Sequence, residues 1–128
     1  MRIVGIGVDR IRIDRVAGTW DRFGERFVSR VYTPREVSQA MVRGNPARRL
    51  AMLFAAKEAV AKALGTGFRQ QVAPRDIETL HAPSGKPEVR LHHGAAKVAK
   101  DLHIRQIHVS LSDDDGIAMA FAIAEGSM

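Results

Sequence analysis

The chain has 128 residues, 45% of them apolar, 27% charged and 5% aromatic, with no cysteine; that length suits one compact domain and leaves little room for a second. The lack of cysteine excludes disulfides, thiol catalysis and thiolate zinc sites. With no apolar run near the roughly 20 residues that span a bilayer and no signal-peptide pattern, a cytoplasmic chain with no membrane partner is expected. Twenty basic residues, fifteen of them arginine, outweigh fourteen acids to give +6, but unevenly: fifteen bases and six acids up to Arg75 (+9), five bases and eight acids after it (−3). Such asymmetry points to an anionic partner for the first part: nucleic acid, an acidic protein or a phosphorylated ligand.

Residues 2–9 alternate as a first strand, with Val4, Ile6 and Val8 on one face and Ile3, Gly5, Gly7 and Asp9 on the other. The second face is stripped of bulk beside a carboxylate, so backbone, a ligand or another chain can approach there. Residues 21–31 read as a helix interrupted by Gly24. Thr33-Pro34-Arg35-Glu36 starts the next, with Thr33 as N-cap, Pro34 at the first helical position and Glu36 closing a capping box; Gly44-Asn45-Pro46 ends it.

From about Ala47 to Leu64 the chain reads as a helix apolar nearly all round. Leu50, Leu53, Phe54, Val60, Ala61 and Leu64 form one stripe, and the other side carries Met52, Ala56, Ala59 and Ala63. Such a helix is a buried helix, yet it carries Lys57, Glu58 and Lys62. Gly65 is placed to terminate it. Beyond it, 76–81 and 88–92 read as a strand pair across the turn 82–87, and Ala95–His103 as a short helix with Val98 and Leu102 inward. Gln106–Ser112 alternates with Ile107, Val109 and Leu111 on one face and His108, Ser110 and Ser112 on the other. Asp113-Asp114-Asp115-Gly116 reads as a turn, and Ile117–Ala124 as an alanine-alternating strand. The expected class is α+β, a small antiparallel-type sheet packed on the long buried helix.

Gly5-x-Gly7 lacks the third glycine and the crossover pattern of a dinucleotide fingerprint. The five histidines make no zinc spacing, and no nucleophile advertises itself. The helix charges are the strongest clue. Glu58 and Lys62 stand four apart, either as an ordinary ion pair or as functional groups, since a buried carboxylate requires a cation or a hydrogen-bond cage. Lys57 either snorkels from the apolar stripe or anchors a phosphate or carboxylate. Asp9 is either an N-cap for residues 10–17 or a second carboxylate beside Glu58. Two carboxylates and several bases near small residues describe a magnesium–phosphate site. His108, alone on its strand, carries little functional weight by spacing.

Gly5-Ile6-Gly7-Val8-Asp9, the stretch from Arg26-Phe27 to Thr33-x-x-Glu36, and Phe54–Gly67 (Phe-Ala-Ala-Lys-Glu-Ala-Val-Ala-Lys-Ala-Leu-Gly-Thr-Gly) resemble the holo-acyl-carrier-protein synthases. These are short single-domain 4′-phosphopantetheinyl transferases. Gly85-Lys86-Pro87 and His108-Val109-Ser110-Leu111-Ser112 follow in the family's order. The resemblance covers nearly the whole chain and implies transfer of 4′-phosphopantetheine from coenzyme A to a serine of an acidic apo acyl carrier protein, releasing adenosine 3′,5′-bisphosphate. It also implies Mg²⁺ on Asp9 and Glu58, and coenzyme A contacts from Lys57, Lys62, Gly65, His108 and Ser110. Arg15 and Arg26 would meet the carrier protein, in a homotrimer with sites between subunits. The partner's serine would be the nucleophile, and Glu58, water beside the metal, or His108 would take its proton.

Three positions depart from the family pattern. Leu53 stands where many members carry arginine, Asp113 where many carry histidine, and Arg12 where an acid is common. Leu53 and Asp113 bear on coenzyme A contacts, Asp113 by setting negative charge near phosphates, with Arg12 a candidate counter-charge. The rival class is a non-catalytic or specialised paralogue that binds coenzyme A, an acidic protein or RNA; seven aromatics without a stacking platform speak against RNA.

Overall fold

A computed structural model describes residues 1–42 and 44–127. The chain runs through β1 (Arg2–Arg12), α1 (Ile13–Phe23), α2 (Glu25–Val31), α3 (Pro34–Met41) and α4 (Pro46–Ala63). A single 3₁₀ turn (Pro74–Asp76), β2 (Ile77–His81), β3 (Pro87–Leu91), α5 (His93–Asp101), β4 (Ile104–Asp114) and β5 (Ile117–Gly126) follow. The strands form an antiparallel three-stranded sheet in the order β1-β5-β4 and a separate β2-β3 hairpin. The α+β class and the buried helix stand as expected; the strands divide into two sheets rather than one.

Local chemistry explains the elements. Thr33 caps α3 through its Oγ1, and the Glu36 carboxylate accepts from the Thr33 N–H, the reciprocal box the sequence predicts. Helix α4 begins at Asn45, whose side chain accepts from the Arg48 N–H, with Pro46 in its first turn. Asn45-Pro46 thus starts α4, while α3 already stops at Met41. Gly65, at φ 81°, turns the chain after α4.

Helix α4 lies across the inner face of the three-stranded sheet because both surfaces are built from small groups. Ala118, Ala120, Ala122 and Ala124 of β5 are buried, as are Ala55, Ala56, Ala59 and Ala63 of α4. Gly5 and Gly7 let β1 touch the helix backbone at Ala63 and Ala59. This is the close approach expected of that strand face.

Several local expectations are corrected. The first strand continues to Arg12, so Asp9 sits inside the sheet, paired with Ala120, and is not a helix cap. Helix α1 follows directly at Ile13, three residues later than the 10–17 helix weighed with an Asp9 cap. Asp113 and Asp114 belong to β4, and the hairpin turns on Asp115-Gly116 alone, both at positive φ. Leu102 lies beyond α5 and is exposed, with Ala95 and Ala99 taking the inner positions.

The outer face of the sheet is uncovered. Ile6 and Val8 are 61% and 58% exposed and Phe121 is 44% exposed, beside Met119 and Ile123 of β5. His108, Ser110 and Ser112 of β4 pair with Ile123, Phe121 and Met119 on the same face. Among the described residues no helix is long and apolar enough to cross a membrane.

Candidate active site

Strand β1 and helix α4 bring three charged groups together. Lys62, in the last turn of α4, donates to Asp9 Oδ1 at 3.1 Å and to the Val8 carbonyl at 2.9 Å. Its side chain remains 51% exposed, so its third proton faces outward. Glu58, one turn earlier, is partly buried. Burial first, and then the nearby Asp9 charge, push its carboxyl above the ordinary range, against the opposing pull of Lys62. The simple Glu58–Lys62 ion pair is not formed: Lys62 turns to Asp9 instead.

Two neighbouring carboxylates, with one half-exposed ammonium between strand and helix, are short of positive charge. Hard oxygen donors in that arrangement suit a small divalent cation that takes one or two carboxylates and leaves room for phosphate oxygens. Among the described residues no cluster of three or more His, Asp or Glu offers an all-protein cage, so a ligand's oxygens would complete the shell.

The other sequence-selected residues divide. Gly65 stands next to this site, but its N–H donates to the Lys62 carbonyl, and those of Thr66 and Gly67 donate to the Ala61 carbonyl. Gly65 therefore contributes a turn and an absence of bulk, not a free donor. His108 and Ser110 lie on the outer face of the sheet, opposite α4. His108 is 45% exposed, with Nε2 at 3.6 Å from Glu125 Oε1. Within one chain they do not meet Asp9 and Glu58. Arg15 on α1 and Arg26 on α2 are both exposed; on α1 the Arg22 guanidinium also lies 5.1 Å from the ring centre of the exposed Phe23.

The assignment of Lys57 to coenzyme A is corrected. It is fully buried, and its three protons go to Glu36 Oε1 (2.7 Å), the Ile77 carbonyl (2.6 Å) and the Pro74 carbonyl (3.0 Å). No proton is left for a ligand. Glu36 is equally buried and accepts in addition from the N–H groups of Thr33 and Thr79, each at 3.0 Å. A second arm runs from Thr33 Oγ1 to Glu78 and on to His92 Nε2. The sequence exposes only one end of this network, the capping box at Thr33 and Glu36. The counter-charge for Asp113 is also revised: Arg48 holds it through two hydrogen bonds, at 2.7 and 3.0 Å, whereas Arg12 pairs with Asp14. Leu53 is buried in a cluster with Val16, Val28 and Tyr32.

The sequence profile of the 4′-phosphopantetheinyl transferase superfamily matches residues 5–122. The chain belongs to this family. A holo-[acyl-carrier-protein] synthase of Nitratidesulfovibrio vulgaris is 48% identical over 123 residues, 96% of this chain and 98% of that one. The crystal structure of the Neisseria meningitidis holo-[acyl-carrier-protein] synthase superposes with a TM-score of 0.89 at 38% identity, over 97% of this chain and 99% of that one. The Helicobacter pylori synthase, solved in complex with coenzyme A, gives 0.83 at 28% identity, over 94% and 99%. The phosphopantetheinyl transferase fold and the holo-acyl-carrier-protein synthase resemblance read from the motifs agree with these comparisons.

Proposed function

We propose that this chain, as a single domain, transfers the 4′-phosphopantetheine group from coenzyme A to a serine of an acidic apo acyl carrier protein, with Mg²⁺ held by Asp9 and Glu58. The serine oxygen forms a bond to the β-phosphorus of the coenzyme A pyrophosphate. The bond from that phosphorus to the bridging oxygen breaks, and adenosine 3′,5′-bisphosphate leaves with the electron pair. The observation that carries this reading is the Asp9–Glu58–Lys62 group, in which burial and Asp9 raise the Glu58 carboxyl while Lys62 keeps half its surface open.

The residues have distinct roles in it. Lys62 faces the pyrophosphate with its free proton, adding charge where negative charge develops. Glu58 serves as the carboxylate that accepts the serine proton. Bound Mg²⁺ supplies positive charge to the pyrophosphate oxygens. Gly65 leaves space for the ligand. Arg15 and Arg26 meet the acidic carrier protein, where arginine suits bidentate carboxylate contacts.

His108 and Ser110 enter from a second copy. The apolar outer sheet face, with Ile6, Val8 and Phe121 exposed, is the surface on which copies pack as a homotrimer. One chain's His108 then lines the ligand held at its neighbour's Asp9 and Glu58. The cytoplasm is the compartment that this reading proposes for the reaction.

Incubating the purified chain with coenzyme A, Mg²⁺ and several apo carrier proteins, read by intact mass, tests the function. The carrier gains phosphopantetheine with the wild type, and Glu58→Gln abolishes the gain. Near-normal transfer by Glu58→Gln would sink the site assignment. A wild-type chain that modifies no carrier protein would instead be a binder of coenzyme A or of an acidic protein.

A further inference from the structure

Helix α4 delivers Glu58 and Lys62; the Gly5 and Gly7 contacts set how closely it lies on β1, while its alanine-rich surface specifies its rotation less sharply. It carries alanine at positions 47, 51, 55, 56, 59, 61 and 63 and is apolar nearly all round. Between Ala55 and Ala63 a slide or rotation mostly exchanges one alanine for another, Val60 being the only larger apolar group buried in that stretch. A shift by one residue, about 1.5 Å along the axis and roughly 100° around it, would nevertheless carry Glu58 away from Asp9.

Polar contacts select one placement. Lys57 precedes Glu58 and is fully buried, and its ammonium is satisfied only where Glu36 Oε1, the Ile77 carbonyl and the Pro74 carbonyl converge. Those acceptors belong to three different elements: α3, the head of β2 and the 3₁₀ turn. Glu36 is itself fixed by the capping box of α3 and by the Thr79 N–H of β2. Any other rotation of α4 strands an ammonium and a carboxylate in the interior, which is far costlier than misplacing an alanine.

We infer that the Glu36–Lys57 pair positions the site: it sets the rotation and axial position of α4, so that Glu58 meets Asp9 and Lys62 reaches the Val8 carbonyl. Glu36 and Lys57 are positioning residues and touch no substrate. The inference rests on reading Asp9 and Glu58 as the metal pair. It agrees with the use of buried ionic groups elsewhere to specify register rather than to add stability.

The test is the charge-free double variant Glu36→Gln/Lys57→Met, studied without substrate. Mn²⁺ binding is followed by electron paramagnetic resonance, with loss of the signal in Glu58→Gln assigning it to this site. The Gly5 and Gly7 amide resonances report, without metal, how α4 lies on β1. The double variant is expected to fold cooperatively, to bind Mn²⁺ roughly 10- to 100-fold more weakly, as removal of supporting residues behind metal ligands does, and to shift the Gly5 and Gly7 signals. A folded double variant with wild-type Mn²⁺ affinity and unmoved glycine signals overturns the inference. If the double variant does not fold, Glu36→Asp, which keeps the charge but withdraws it by one methylene from Lys57, is expected to give smaller changes in the same direction. Unchanged values there overturn it equally. A wild type that binds no Mn²⁺ refutes the metal reading, and the glycine signals alone then decide the positioning role.

Discussion

Gly7 lies so close to Ala59 that a Cβ added to it would sit 1.9 Å from the Ala59 carbonyl oxygen, and one added to Gly5 would sit 2.0 Å from that of Ala63. Both obstacles are helix backbone, which has no rotamer to change. Strand and helix can therefore meet only through these two glycines. The contact holds Asp9 of the strand against Glu58 and Lys62 of the helix.

Gly7→Ala is accordingly expected to force α4 off the sheet. Overpacking typically costs about 1–3 kcal/mol, and transfer activity falls further than stability because the site straddles the displaced contact. Gly18→Ala is the control. Gly18 lies within α1, and a Cβ added there would meet nothing within 4 Å; glycine-to-alanine in a helix interior is worth about 0.5–1 kcal/mol in the stabilising direction. Paired thermal melts and transfer assays check both; equal behaviour of the two variants refutes the argument.

The raised Glu58 carboxyl has a definite sign. Folded, metal-free protein holds this proton more tightly than the unfolded chain, so the group contributes stability below the ordinary carboxylate range. That contribution is lost as pH rises through the raised value. Divalent cation binding must expel the same proton, so apparent Mg²⁺ affinity rises with pH across that window. Asp9→Asn removes the second-largest cause of the shift and lowers the Glu58 midpoint. Carboxyl titration by NMR, with Mg²⁺ titrations at several pH values, measures both trends.

Arg48 neutralises Asp113 through a two-pronged contact, and the pairing pulls the Asp113 carboxyl below its ordinary value. Arg48→Ala leaves that carboxylate uncompensated, and KM for coenzyme A rises several-fold. Asp113→Asn added to Arg48→Ala restores it. Steady-state kinetics on the two single variants and the double variant decide this; a double variant as impaired as Arg48→Ala shows that the arginine, not the carboxylate, governs the effect.

Phe121 is the largest side chain exposed on the outer sheet face. Phe121→Asp sets a charge in the middle of that face and is expected to reduce the mass in light scattering to that of one chain, with transfer falling to background while the chain stays folded. A wild type that is already a single chain, or a fully active single-chain variant, removes the need for His108 of a second copy.

Much of this architecture was legible in local patterns. The Thr33–Glu36 box, the long apolar helix and its Gly65 stop, the β2-β3 hairpin and the alternation of β4 and β5 all stand where residue spacing puts them. Helix α1 was weighed only as a 10–17 helix capped by Asp9; it starts at Ile13, directly after a strand with no intervening turn. Asp113 and Asp114 looked like turn residues because acids cluster there, yet the hairpin needs only the two positive-φ residues Asp115 and Gly116. In the site, the suspicion attached to Asp9, Glu58 and Lys62 came from charge set among small and apolar neighbours. Lys57 raised the same suspicion and turned out to be an interior residue with every proton in use.

Most elements, the cysteine-free chemistry, the basic front and the family could be read from residue order alone, because caps, periods and motifs act within a few residues. The pairing of charges came from the folded chain: Lys57 with Glu36 across 21 residues, Lys62 with Asp9 across 53 and Arg48 with Asp113 across 65. A charged side chain leaves no local mark of its partner. Its role is settled by which opposite charge the packed backbone brings within hydrogen-bonding reach, and by how much water remains between them.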